Sequence, residues 1–284
     1  MKSQFITENI HSKKNFLKNN PQLIILVILF LFNYLPTFLE MWDHWFERDS
    51  YYSHGILIPF ISAFLIWQKK EELKKIYFES SPWGMPLIIG GVCLQLLSAL
   101  FRVNFSSAFS MLLVFIGLIL YFYGERILYK IRFPIAFLIF MIPMPDVVIA
   151  NISFKMKIFA AHVATIALNN MRMPAIQRGS IIFMQHTQVQ VEDICSGLRS
   201  LISLMALGSI FAYWMKASLA KRIFLFLLTM PIAIITNVCR IVFLASVSEI
   251  WGPQYAEGWV HDAAGFIVFG LAFILLFAMG RLIE

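Results

Sequence analysis

Apolar runs of membrane-crossing length recur along the chain, separated by short clusters of lysine and arginine, and this leaves few folds open. Inside lipid the backbone must bond to itself, so only helices or a closed barrel cross. The runs Leu23–Leu39, His54–Gln68, Met85–Phe101, Phe105–Tyr123, Phe133–Ile142, Leu198–Met215, Ile223–Ala245 and Ala263–Met279 are continuous rather than alternating, which selects helices. With only 14% of its residues charged and a mean hydropathy of +0.75, the chain does not read as a soluble domain. The expected fold is an all-α polytopic membrane protein of about eight transmembrane helices. It reads as a single integral membrane domain over residues 1–284, with an N-terminal tail 1–21 and a bundle 22–280.

The loops set the expected topology. Lys2, Lys13, Lys14 and Lys18 precede the first run, which is too long and too far from the start for a cleaved signal peptide. Further basic clusters lie at Lys69–Lys75, Arg126–Arg132 and Lys216–Arg222. The region Val147–Met171 is apolar and long enough to span, yet Lys155, Lys157 and His162 interrupt it. If it lies on the outer surface as an amphipathic helix, both termini and every basic cluster fall on the cytoplasmic side; if it crosses, the last cluster is exported, against the positive-inside bias. The first arrangement is therefore expected, in the plasma (inner) membrane. It accounts for the net charge of +7 without nucleic acid. Three cysteines, Cys93, Cys195 and Cys239, imply no disulfide framework.

Between Val147–Met171 and the sixth run, residues 181–194 alternate roughly in twos, the period of an extended strand. This strand-like segment hands over at Cys195 to a helix whose first amides lack intrahelical partners. A thiol there feels the positive end of the helix dipole, which favours thiolate. Arg199, one turn further in, adds to that bias, while Glu192 and Asp193 oppose it. Cys195 as a small buried filler remains the bland alternative.

In the expected topology Arg240 lies near the outer end of the seventh run and His261 opens the eighth. Three helices thus bring a thiol, a guanidinium and an imidazole to one depth. Taken singly, Arg240 reads equally as a snorkelling residue and His261 as an interfacial loop histidine. Together, Cys with His is the minimal set for nucleophilic acyl transfer, and a guanidinium can hold the developing oxyanion or pin a substrate carbonyl or carboxylate. Asn237, one turn before Arg240, is placed to hold the guanidinium or line the pocket. Ser196 is expected to help cap the sixth helix. Adjacent helical residues diverge by about 100°, which makes Asp262 a poor orienter of His261, and it is expected to cap the eighth helix. No metal site is expected: the first-loop cluster of His44 and His54 with Asp43, Glu47 and Asp49 lacks helical ligand spacing. No phosphate-binding glycine loop occurs, and no cofactor is expected.

The stretch Glu192-Asp193-Ile194-Cys195-Ser196-Gly197-Leu198-Arg199-Ser200, followed by Asn237-Val238-Cys239-Arg240 and His261, resembles the exosortase/archaeosortase family on its bacterial exosortase side. Tyr52-Ser53-His54-Gly55 resembles the early motif of that family, and the resemblance runs from about Asp49 to Gly280. It implies Cys195 as nucleophile, Arg240 as catalytic or oxyanion-binding arginine and His261 as general acid/base. Arg199, Asn237, Ser196, Gly197 and His54 become supporting or substrate-binding residues. The implied partners are membrane lipids, exported proteins ending in a Pro-Glu-Pro-like motif, a hydrophobic helix and a basic tail, and a cell-surface acceptor, polysaccharide or lipid-linked groups among them. The rival readings are a non-catalytic transporter or lipid-handling protein and an intramembrane protease that uses water. The alternating segment can serve as an internal hairpin or as an edge for substrate.

Overall fold

The structure, a computed structural model, describes residues 21–192, 196–256 and 258–284. Its contacts gather into two units, Met1–Glu47 with Ser53–Pro143 and Arg48–Tyr52 with Met144–Glu284.

In the first unit, α1 (Pro21–Asn33) and α2 (Leu35–Phe46) form one apolar stretch bent by 52°. Pro36, in the first turn of α2, has no N–H to give to the preceding turn, which breaks the ladder there. The second helix runs on to Phe46, so Asp43 and His44 are helical rather than in a loop. Then follow α3 (Leu57–Gln68), the single turn α4 (Lys70–Leu73), α5 (Gly84–Phe101), and α6 (Asn104–Phe137), which continues as one 3-10 turn, Leu138–Met141.

The long helix α6 cannot be straight. Thr37 Oγ1 lies 2.6 Å from Ser107 Oγ, and Trp45 Nε1 donates to the Met141 carbonyl at 2.9 Å. Residues 37 and 45 are ~12 Å apart along α2, whereas 107 and 141 would be ~51 Å apart on a straight helix. The chain reverses at Gly124, whose φ of 81° and ψ of 179° lie in a region only glycine occupies comfortably. A Cβ there would overlap the Glu79 carbonyl oxygen. The two arms correspond to the fourth and fifth apolar runs, the fifth beginning earlier than Phe133 and ending near Met141. A polar seam joins the first arm to α1, α2 and α5: Gln95 Oε1 accepts from Ser107 at 2.7 Å and Ser110 at 2.9 Å, and Ser110 Oγ lies 3.0 Å from the hydroxyl of the fully buried Tyr34. The hydroxyls of Tyr34, Thr37, Ser107 and Ser110 thereby find partners away from water. At one end, Lys69 donates to the Lys130 carbonyl and Lys130 pairs with Glu72 at 3.1 Å.

The second unit opens with α7 (Asp146–Asn170), then β1 (Ile176–Arg178), β2 (Ile181–Phe183) and β3 (Gln188–Gln190), a three-stranded antiparallel meander in that order. The expected strand over 181–194 is thus two strands and a turn, with a third strand ahead of them. The alternation that suggested it is real: Ile182 and Val191 are buried while Gln188 and Gln190 are exposed. The remaining helices are α8 (Leu198–Trp214), α9 (Leu219–Trp251), the turn α10 (Pro253–Ala256) and α11 (Trp259–Ile283). Leu204 packs with Ala233 and Ala272, and Met215 with Leu225 and Leu276. Numbers rise along α8 and α11 as they fall along α9, so α9 is antiparallel to both. The starts of α8 and α11 therefore share one end with the later half of α9, while Lys216 and Lys221 bond to Glu284 at the other.

Among the described residues five helices are long and apolar enough to cross a membrane, or six with the bent α1–α2 pair, while α3 and α8 are apolar but shorter. One of the five is α7, the region expected on the outer surface. Its stripe Ala160, Ala161, Ala164 and Leu168 shares a core with Ile182, Val191, Val238, Ile241 and Ala245, at the Arg240 end of α9.

Candidate active site

The start of α8 is built around a glycine. Gly197 has φ of 83°, a left-handed conformation that side chains resist. A Cβ on it would lie 2.7 Å from Asn237 Cγ. Asn237 on α9 is buried at 3% exposure, so its amide packs beneath this turn. Ser196, also buried, accepts the Leu198 N–H at 3.3 Å; the N-cap itself is Gly197 and no side chain caps the helix, so Ser196 closes the turn ahead of α8 where it was expected to cap. One turn beyond Asn237, Arg240 is 8% exposed. A buried guanidinium inside an apolar helix is costly and marks a functional site more often than a structural one.

Arg240 Nη2 stands 2.9 Å from His261 Nε2. On the far side of the ring, His261 Nδ1 lies 3.3 Å from Asp262 Oδ1. A guanidinium only donates, so Nε2 accepts and the imidazole is neutral with its proton on Nδ1, directed at Asp262. This overturns the expected role of Asp262. The helix α11 begins at Trp259 with Gly258 as its cap, so Asp262 falls in the first turn, where its short side chain curls back to its neighbour. Gly265, one turn along α11 from His261, lies beside the guanidinium: a Cβ there would stand 3.6 Å from it, in ordinary contact. Among the described residues the buried Arg240 Nε has no hydrogen-bond partner.

The site residues divide as follows. Arg240 and His261 touch; Asn237, Gly197 and Ser196 are packed one turn away. Arg199 Nη2 lies 3.8 Å from Asp49 Oδ1, a pairing that a separation of 150 residues hides from sequence reading. His54 belongs to the first unit, in the turn ahead of α3. Its Nε2 is buried, and burial lowers the imidazole pKa to about 4. Cys195, with Asp193 and Ile194, lies outside the described residues.

A cleft of about 370 Å³ opens beside His261, lined by β3 and its extension to Glu192, by Ile241, Leu244 and Ser248 of α9, and by Pro253, Ala256 and Gly258. Sequence reading offered the alternating segment as an edge for substrate but missed Ile241 and Leu244, because they are indistinguishable from lipid-facing residues in a one-dimensional pattern. The turn between β2 and β3 is held to α9 by His186, whose Nδ1 lies 2.9 Å from Glu249 Oε1, and by Thr187, 3.0 Å from Ser248.

A family model described as transmembrane exosortase matches residues 42–278. Neither the curated proteins nor the solved structures yield a match. The matched span takes in both arms of α6, the meander, the glycine turn at Gly197, Asn237 and the Arg240–His261 pair, and on that coverage the chain belongs to the transmembrane exosortase family.

Proposed function

We propose that this protein is a membrane-embedded cysteine transpeptidase. It cleaves the C-terminal sorting signal of exported proteins through a Cys195 acyl-enzyme and passes the new C-terminus to a cell-surface acceptor. The family is one of sorting-signal processing enzymes; nucleophile, acceptor and orientation are this reading's additions. The single observation that carries it is the half-buried Arg240–His261 contact, 2.9 Å long, at the end of the bundle where α8 starts.

The chemistry follows from the tautomer. With Nε2 occupied by Arg240, His261 is held neutral and idle. A substrate carbonyl entering the site competes for the guanidinium, and Arg240 turns to it. Nε2 then accepts the Cys195 proton, and the thiolate attacks the scissile carbonyl carbon. The oxyanion is stabilised by Arg240. Collapse breaks the C–N bond, Nε2–H protonates the leaving amine, and a thioester remains. An acceptor nucleophile gives its proton to Nε2, attacks the thioester and releases the acyl group, and the proton returns to sulfur. Asp262 holds the ring throughout from Nδ1.

The site faces the exterior in this reading, with both termini cytoplasmic, eight crossings, and α7 on the outer surface beneath the meander. Lys69–Lys75, Arg126–Arg132 and Lys216–Arg222 then stay inside. A substrate tethered by its own helix delivers its motif at the depth of the site, so confinement raises its effective concentration.

Co-expression with a tagged substrate carrying a C-terminal helix tests the reading. Processing should vanish in Cys195→Ser and Cys195→Ala and fall steeply in Arg240→Ala and His261→Ala. Full processing by Cys195→Ala removes the nucleophile and favours a transport or lipid-handling role. A free carboxylate on the product in place of an acceptor adduct makes the enzyme a protease that uses water.

A further inference from the structure

The cleft beside His261 contains a strand edge that the acyl-transfer residues leave unused. Val191 N–H donates to the Ser180 carbonyl, and Met184 N–H to the Thr187 carbonyl, so residues 187 and 191 face β2. In an antiparallel ladder that direction alternates residue by residue. With the register Ile182↔Val189, residue 189 also faces β2, and Gln188 and Gln190 aim both backbone N–H and C=O away from it. Because β3 is an outer strand of the meander, no described residue forms a backbone ladder with them on that side. The same residues line the cleft together with Ile241, Leu244 and His261.

We propose that β3 is the docking edge for the substrate polypeptide: an extended segment joins the meander as a fourth strand along Gln188–Gln190 and is thereby led to His261. The occupant is a peptide backbone because the cleft offers a backbone edge, and it is the substrate because His261, the partner of Arg240, itself lines the cleft. The inference deepens the function proposed above and rests on it for the identity of the peptide.

The edge also restricts where proline can stand. A residue paired with β3 must supply an N–H, so proline is admitted only at the intervening positions, whose N atoms point outward. Two prolines separated by one residue point the same way. The Pro-Glu-Pro-like motif that the family resemblance implies obeys this rule with its central residue against β3, and its outer edge, stripped of donors, recruits no fifth strand. The apolar wall of Ile241 and Leu244 receives alternate side chains.

The test uses the full chain in proteoliposomes with a tagged substrate carrying a C-terminal helix, and has two readouts. Gln190→Pro removes an N–H aimed into the cleft and leaves the β2 ladder whole; Gln190→Ala keeps that N–H. The expected KM for the proline variant is roughly tenfold above that of the alanine variant, the loss of about one backbone hydrogen bond, with the loss falling on KM rather than kcat. A photoreactive side chain at position 190 should capture the substrate, and one at position 177 on β1 should do so far less. If Gln190→Pro fails to fold, N-methylation of the substrate residue between the two prolines removes the opposite donor and should raise KM alike. Cleavage with equal KM for proline and alanine variants, or equal capture from 177 and 190, overturns the docking edge and leaves the cysteine chemistry standing. Capture at 190 without any cleavage by the unmodified chain keeps the edge and removes that chemistry. Neither capture nor cleavage overturns both.

Discussion

Gly197→Ala is the substitution whose cost can be worked most directly from the structure. The backbone there has φ of 83°, and an L residue in that region costs about 1–2 kcal/mol. The new Cβ would stand 2.7 Å from Asn237 Cγ and 2.8 Å from Nδ2, closer than carbon contacts allow. Asn237 is 3% exposed, so its amide has no free space to swing into, and overpacking of this kind costs about 1–3 kcal/mol. The sum is about 2–5 kcal/mol. Equilibrium unfolding in mixed micelles should register it, and a double-mutant cycle separates the parts. Asn237→Ala removes the two nearest atoms and leaves Cβ at 3.0 Å, so it should return part of the steric loss and none of the conformational one. A Gly197→Ala protein as stable as the parent, or one whose loss Asn237→Ala leaves untouched, would refute the packing of α8 on α9 described here.

Three further outcomes are expected. Gly124→Ala combines a backbone conformation reserved for glycine with overlap on the Glu79 carbonyl; it should destabilise the chain by at least ~2 kcal/mol and lower the folded yield, which size-exclusion of the detergent-extracted protein reads directly. Nitrogen chemical shifts of labelled histidine should show His261 neutral with the proton on Nδ1, and Arg240→Lys, lacking the planar fork, should disturb that tautomer and cut processing by roughly 10²–10³-fold; an unchanged spectrum and rate would sink the assignment. His54, in the turn ahead of α3, has a folded-state pKa lowered to about 4 by burial, against 6.5 for the free side chain. Its lowered value means the unfolded chain takes up the proton first, so stability is undiminished above pH 6.5 and declines as pH falls towards 4, by about 3 kcal/mol in all. Melting midpoints at pH 7.5 and 4.5 measure this, and His54→Gln should flatten the difference.

Hydropathy alone determined that the chain is a helical membrane protein, because a backbone in lipid must satisfy itself within each helix and leaves a continuous apolar run as its mark. The motif residues alone pointed to the exosortase family, and Arg240 and His261 were legible as partners since charged groups in apolar helices are too expensive to be scattered at random. Other features depend on approaches between distant segments. The reversal at Gly124 rests on Glu79 filling the space of a missing Cβ, and α6 otherwise reads as two ordinary runs. The contact of Asp262 with His261 was argued against from helical geometry, and it exists because α11 starts at Trp259 and the short acid can fold back. The alternation before Cys195 carried the period of a strand but not the turn within it, since a hairpin and a single strand share that period, and only packing on α9 through His186 and Thr187 makes the meander and leaves β3 at its edge. What the residues could say for themselves was their solvent; which of them meet was decided by how the helices pack.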